Sequence, residues 1–149
     1  MTQHEIYMQQ ALKEAEKAYD AGELPVGAVI VFENRVIAKG YNQVETLKDP
    51  TAHAEIIAIT SAASYLSSKA LLGCSMYVTL EPCSMCAGAI VLAKIENLYF
   101  GAFDNKLGAC GSVLNVINNK SLNHQLSVSG GILDAECAAL LRSFFEVRR

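Results

Sequence analysis

Apolar and polar positions alternate along the chain in rhythms that mark out a succession of helices and strands. Over residues 3–21, Ile6, Ala11, Leu12, Ala15 and Tyr19 fall near a helical repeat, with Lys13, Glu14, Glu16 and Lys17 on the wet side. The spacing predicts a helix that Gly22 stops. Residues 26–32 are continuously apolar, as in a buried strand. Glu33-Asn34 then suits a hairpin turn, and residues 35–41 suit the return strand. Residues 42–52 are polar and hold Asp49-Pro50, so they read as a loop. A second helix is predicted over 53–66, with Ile56, Ile59, Ala63 and Leu66 as its stripe. A strand follows over 76–80, and then a nearly all-apolar helix over 83–94. A helix that apolar is buried on most of its sides, in part against a second subunit.

Residues 98–103 read as a further strand, 104–112 as a glycine-rich loop and 113–116 as the start of a short helical piece. Residues 126–128 make a weak strand. Residues 133–147 close the chain as an amphipathic helix whose stripe is Leu133, Cys137, Leu140, Leu141, Phe144 and Phe145. A hairpin followed by β-α-β-α-β implies an α/β fold: a mixed sheet with helices on its faces. No repeat, low-complexity segment or linker divides residues 1–149, so a single domain is expected.

Composition narrows the class. With 52% hydrophobic and 18% charged residues, the chain suits a globular domain with a substantial core. Residues 1–10 are polar, and no stretch approaches the ~20 apolar residues of a membrane span. No membrane association and a cytoplasmic location are therefore expected. The five cysteines, Cys74, Cys83, Cys86, Cys110 and Cys137, are odd in number and follow no secretory signal. That argues against a disulfide framework. The net charge of −3 argues against a broadly basic polyanion-binding face, so any nucleic-acid contact must be local.

The chemistry concentrates in His53-Ala54-Glu55 and Pro82-Cys83-Ser84-Met85-Cys86. Cys83 and Cys86 are three apart, neighbours on one helix face. With His53 they make three zinc ligands, and the open fourth position is the mark of a catalytic rather than a structural zinc. His53 and Glu55 are about 200° apart around a helix, so both reach one ion only if it lies off the helix end. Two helix N-termini would then converge on the metal, and both would favour the thiolates it needs. Glu55 is the candidate proton carrier. Cys-x-x-Cys alone also fits a redox dithiol or half of a structural zinc site. A redox pair has no need of His-x-Glu, however, and no second ligand pair is present for a structural site. His-x-Glu followed by Pro-Cys-x-x-Cys is the pattern of zinc deaminases, which hydrolyse C4 of cytosine or C6 of adenine.

On these residues the chain resembles the cytidine/deoxycytidylate deaminase superfamily, and within it the bacterial tRNA-specific adenosine deaminases. The resemblance runs over nearly the whole chain. It covers Gly22-Glu23-Leu24-Pro25-Val26-Gly27-Ala28-Val29, Asn42, Pro50-Thr51-Ala52-His53-Ala54-Glu55, and Leu80-Glu81-Pro82-Cys83-Ser84-Met85-Cys86-Ala87-Gly88-Ala89. It continues through Asp104-Asn105-Lys106-Leu107-Gly108-Ala109-Cys110-Gly111-Ser112, Asn123-His124 and Phe144-Phe145. The zinc core is shared by all relatives; the 104–112 loop is the more selective signal for the tRNA enzymes. The resemblance implies a three-layer α/β/α fold around a five-stranded mixed sheet and a homodimer with one Zn²⁺ per subunit. It implies that His53, Cys83 and Cys86 bind zinc, that Glu55 shuttles protons, and that the wobble adenosine of a tRNA anticodon stem-loop becomes inosine. Asn42 and the backbone at Ala54 would hold the substrate nucleoside. Asp104, Lys106, Asn123 and Arg149 would contact flanking nucleotides.

Each of these contacts has a structural reading beside it. Asn42 suits a strand end, Asp104 a loop or helix start, and Lys106 and Arg149 a solvated surface. Phe144 and Phe145 suit core packing. Two other functions remain open at this level. One is deamination of a free guanine- or cytosine-type base, nucleoside or nucleotide on the same fold. The other is a non-catalytic zinc fold that binds RNA or a partner subunit, which would have no use for Glu55.

Overall fold

In a computed structural model, which describes residues 1–149 except Asn123 and Arg149, the expected architecture is present. Among the described residues the elements run α1 (Gln3–Asp20), β1 (Gly27–Phe32), β2 (Arg35–Tyr41), α2 (Val44–Leu47), α3 (Ala54–Leu66), β3 (Cys74–Leu80), α4 (Ser84–Leu92), β4 (Asn97–Ala102), β5 (Ser127–Ser129) and α5 (Asp134–Val147). The strands form one sheet in the order β2-β1-β3-β4-β5. β1 pairs antiparallel with β2 and with β3, whereas β3–β4 and β4–β5 are parallel. Glu33 and Asn34 both take positive φ, as a two-residue turn matched to strand twist requires.

Strand alternation sorts the core into two halves. Ala28, Ile30, Met76, Val78, Leu98 and Phe100 face Ala54, Ala58 and Ala62 of α3 and Ala87, Ile90 and Val91 of α4. Val29, Val31, Tyr77 and Ala102 face Tyr7, Met8 and Ala11 of α1 and Cys137 of α5. The result is three layers, helices on both sides of the sheet. The α3 layer lies so close to β2 that a Cβ on Gly40 would collide with the Ala54 carbonyl oxygen and the Ala58 nitrogen. Among the described residues, no helix is long and apolar enough to cross a membrane.

Three expectations change. Residues 42–52 are not all loop, because residues 44–47 form α2. Its cap comes from a distance: Gln43 makes no side-chain cap bond, while buried Glu23 accepts the N–H groups of Glu45 (3.0 Å) and Thr46 (2.6 Å). Residues 113–116 are not helical. Val113 and Leu114 both donate to the Gly108 carbonyl, Val116 donates to Ala109, and Cys110 bridges Asn115. The chain folds back on the preceding loop, which occupies the amides a helix would need. Finally, Phe144 is buried but Phe145 is 56% exposed, so only the first of that pair packs in the core.

The register fixes where loops meet. Leu80 and Ala102 are paired at the parallel ends of β3 and β4, and Glu81 N–H donates to the Ala102 carbonyl at 2.9 Å. Segments 81–83 and 103–112 therefore leave the sheet side by side. Because β1 and β2 run antiparallel to each other, Val26 and Asn42 arrive at that same end, joined by Asn42 N–H to the Val26 carbonyl at 3.1 Å.

Candidate metal centre and active site

His53 and Cys83 occupy equivalent positions, the N-caps of α3 and α4, both with extended backbone. An N-cap side chain ordinarily bonds back to its own helix. Neither does so here; both turn away from their helices toward a common point. Cys86 sits one turn into α4 and Glu55 is the second residue of α3. Both helix ends thus present their positive dipole ends to one site, which favours thiolate there.

The ligand atoms of His53, Cys83 and Cys86 lie within 4.8 Å of one another. His53 Nδ1 is 3.7 Å from Cys83 Sγ and 3.5 Å from Cys86 Sγ. A tetrahedral zinc with ordinary Zn–S and Zn–N bonds separates sulfur from nitrogen by about 3.6 Å. The spacing is therefore that of ligands sharing one ion, and the residues fit zinc in chemistry and in geometry. Two thiolates, one neutral imidazole and Zn²⁺ sum to zero charge, which lowers the cost of enclosing the centre.

Of the three ligands, Cys83 alone leans toward its metal-binding form, and its contacts hold Cys86 and His53 the other way. The Cys83 thiol is lowered to about 4, because Cys86 donates to it, with His53 adding to the pull against burial. Cys86 moves up for the same reason, as the donor in that bond and by burial. His53 is raised, chiefly by its contact with Cys83. Glu55 is 4% exposed, and burial raises its carboxyl to about 7.

Beside these groups is a pocket lined by Leu24, Val26, Asn42, Ala54, Leu80, Asp104 and Leu107 together with His53, Glu55, Glu81 and Cys83. Its wall is apolar with few polar groups, the usual character of a small-molecule site. Asn42 is 8% exposed; its Nδ2 donates a long 3.4 Å bond to the Leu24 carbonyl, and its Oδ1 has no partner among the described residues. A buried amide oxygen without a donor is costly, and a ligand N–H or O–H would satisfy it.

The structure brings together His53, Ala54, Glu55, Cys83, Cys86, Asn42 and Asp104. Asp104 lines the pocket while its Oδ1 accepts the N–H groups of Lys106 (2.9 Å) and Leu107 (3.0 Å), so it also shapes its own turn. Lys106 is exposed and outside the pocket lining. Asn123 and Arg149 lie outside the described residues. His124 is structural, its Nε2 bonding the Ile95 carbonyl at 2.7 Å. Burial pushes the Cys110 thiol up to about 12, away from nucleophile character. Cys74 and Cys137 are packed in the core.

Sequence reasoning missed two buried carboxylates flanking this pocket, Glu23 and Glu81. Each is 1–2% exposed and accepts backbone N–H groups, Glu23 from α2 and Glu81 from the 104–112 loop. The signal for both is a carboxylate inside an otherwise apolar or glycine/proline-rich stretch, Gly22-Glu23-Leu24-Pro25 and Leu80-Glu81-Pro82.

Comparison with known proteins gives a consistent picture. Residues 1–102 match the cytidine and deoxycytidylate deaminase zinc-binding region. The chain is 46% identical over 149 residues to the tRNA-specific adenosine deaminase of Bacillus subtilis (strain 168), covering 100% of this chain and 92% of that one. A structure solved in biochemical and structural studies of A-to-I editing by tRNA:A34 deaminases at the wobble position of transfer RNA superposes with TM-score 0.88. It is 43% identical and covers 91% of this chain and 98% of that one. The guanine deaminase from Nitrosomonas europaea is more distant: TM-score 0.80, 26% identity, covering 94% of this chain and 83% of that one.

Proposed function

The chain belongs to the cytidine and deoxycytidylate deaminase family, and from that premise we propose that it works as one zinc-dependent domain that hydrolyses the wobble adenosine of a tRNA anticodon loop to inosine. The observation that carries the proposal is the meeting of three zinc-ligand atoms at the edge of a pocket that buried Glu55 lines. The full-length likeness to a tRNA-specific adenosine deaminase selects the substrate.

His53, Cys83 and Cys86 hold the metal. Zinc, when bound, supplies Lewis-acid activation of the attacking water. Glu55 accepts the water's proton on its carboxylate and passes it to the adenine ring at N1; it then takes the second proton, from the hydroxyl newly joined to C6, and gives it to the exocyclic amine, which departs as ammonia as the C6 carbonyl forms. A carboxyl raised to about 7 by burial suits a group that must both take and give a proton near neutrality. Asn42 Oδ1 accepts a hydrogen bond from the base or ribose, ending its isolation. The Ala54 N–H, in the first turn of α3, bonds the base. Leu24, Val26, Leu80 and Leu107 exclude water around the ring.

Asp104 contacts the flanking nucleotides through the carboxylate oxygen its turn leaves free, and Lys106 contacts a phosphate. Asn123 and Arg149 join them. An adenosine in a loop is partly unstacked already, so drawing it into the pocket costs less than from a duplex. The working form is a homodimer with one zinc per subunit. Supporting this, α4 keeps an apolar outer face in which Leu92 is 82% exposed and a side chain at Gly88 would meet nothing within 4 Å among the described residues. A cytoplasmic location follows from the substrate. The proposal is tested by digesting an anticodon stem-loop to nucleosides after incubation and looking for inosine. Turnover of free guanine or cytidine instead would favour the free-base reading.

A further inference from the structure

A second buried carboxylate stands at the centre of the loop that selects the substrate. Glu81 is 2% exposed, and its carboxylate has no cation beside it among the described residues. It accepts four hydrogen bonds, all from residues 104–112. The N–H of Asp104 bonds Oε1 at 3.1 Å, and the N–H groups of Cys110 and Ser112 bond Oε2 at 3.0 and 3.1 Å. The Ser112 hydroxyl gives a further short bond to Oε1. The loop closes over it so tightly that a Cβ on Gly108 would collide with the Glu81 carboxylate and the Asp104 carbonyl. Next to Glu81, the Pro82 carbonyl accepts the N–H of Ala109 at 2.9 Å. The residue after Pro82 is the zinc ligand Cys83.

We propose that Glu81 is a positioning residue: its carboxylate gathers the 104–112 loop onto the strand end that carries Cys83, and so sets the wall that Asp104 and Leu107 present to the RNA. The inference rests on the RNA reading of this pocket. The three backbone N–H groups that Glu81 accepts come from both ends of the loop. Glu81 thereby couples the metal side of the pocket to the RNA side, acting through the loop it holds. A glutamine of the same size would place an amide NH2 where one oxygen now accepts, so at least one backbone N–H would lose its acceptor.

The test compares zinc-loaded wild type with Glu81→Gln and, separately, with the milder Ser112→Ala. The first readout is amide hydrogen exchange at Asp104, Cys110 and Ser112, which needs no substrate. Exchange is expected to speed about tenfold or more in Glu81→Gln and less in Ser112→Ala. The second readout is steady-state deamination of an anticodon stem-loop. KM is expected to rise about tenfold in Glu81→Gln while kcat changes much less and zinc content stays at one per subunit. A general loss of stability would not split KM from kcat in this way. Unchanged exchange overturns the proposal, and so does faster exchange with an unchanged KM. If Glu81→Gln fails to fold or to hold zinc, Ser112→Ala decides by the same two criteria. If wild type makes no inosine, the substrate reading fails, while the exchange measurement still judges whether Glu81 holds the loop.

Discussion

Cys86 Sγ lies 3.5 Å from His53 Nδ1, although 33 residues separate them in the chain. The contact exists because α3 and α4 pack on the same face of the sheet and begin at the same end of it. Removing one ligand should therefore abolish metal binding rather than rearrange it. Cys83→Ala is expected to purify with little or no zinc by metal analysis; full occupancy would refute its place in the ligand set.

Glu55 is inside the site but outside the ligand triangle. Glu55→Gln should keep one zinc per subunit and lose deamination by roughly 10²–10⁴-fold, the usual worth of general acid–base catalysis. Single-turnover rates with metal content measured on the same samples check this. Near-normal turnover would sink the proton-carrying role.

Gly40 bears on the centre from a distance, through the helix that carries His53 and Glu55. Gly40→Ala forces β2 and the first turns of α3 apart. Thermal or urea unfolding should show a loss of about 1–3 kcal/mol, the cost of overpacking a core, and zinc affinity should weaken with it. Equal stability and affinity would mean that α3 has freedom the packing denies it.

Much of this site was legible in the sequence because its constraint is local. The two-residue spacing of His53 and Glu55 cannot be served by the side of a helix, so it announced a metal beyond the helix end. The Cys83–Cys86 spacing put two thiols on one face at the start of the next helix. The strands followed from apolar runs, and a mixed sheet from the hairpin with β-α-β-α-β after it. What stayed hidden depends on partners distant in sequence. Nothing around Val44 signals a helix, because its cap is the carboxylate of Glu23, more than twenty residues away. The apolar run at 113–116 looked helical because its amides' true acceptors, Gly108 and Ala109, are chosen by how the loop wraps Glu81. Phe145 shares the helical stripe of Phe144 but falls past the edge of the core, which periodicity alone does not locate.

Glu23 offers a test in acid. Burial works to raise its carboxyl, but the Thr46 hydroxyl and the N–H groups of Glu45 and Thr46 outweigh it and hold the group below its ordinary 4.5. A folded-state value below the unfolded one means a contribution to stability that is complete above about 4.5 and lost as pH falls through the lowered value. Glu23→Gln should cost about 1–3 kcal/mol at pH 7 by chemical denaturation. It should also flatten the loss of stability in acid, so that the two proteins converge as pH falls. A difference that stays constant across that range would remove Glu23 from the account.

The zinc site is expected to act on adenosine within an anticodon loop. The most direct measurement offers purified, zinc-loaded protein an anticodon stem-loop with adenosine at the wobble position, beside free adenosine, cytidine and guanine. Each is then analysed for its deaminated product. The account predicts inosine in the stem-loop and little or no turnover of the free compounds. Turnover of a free base with no inosine in the RNA would contradict it.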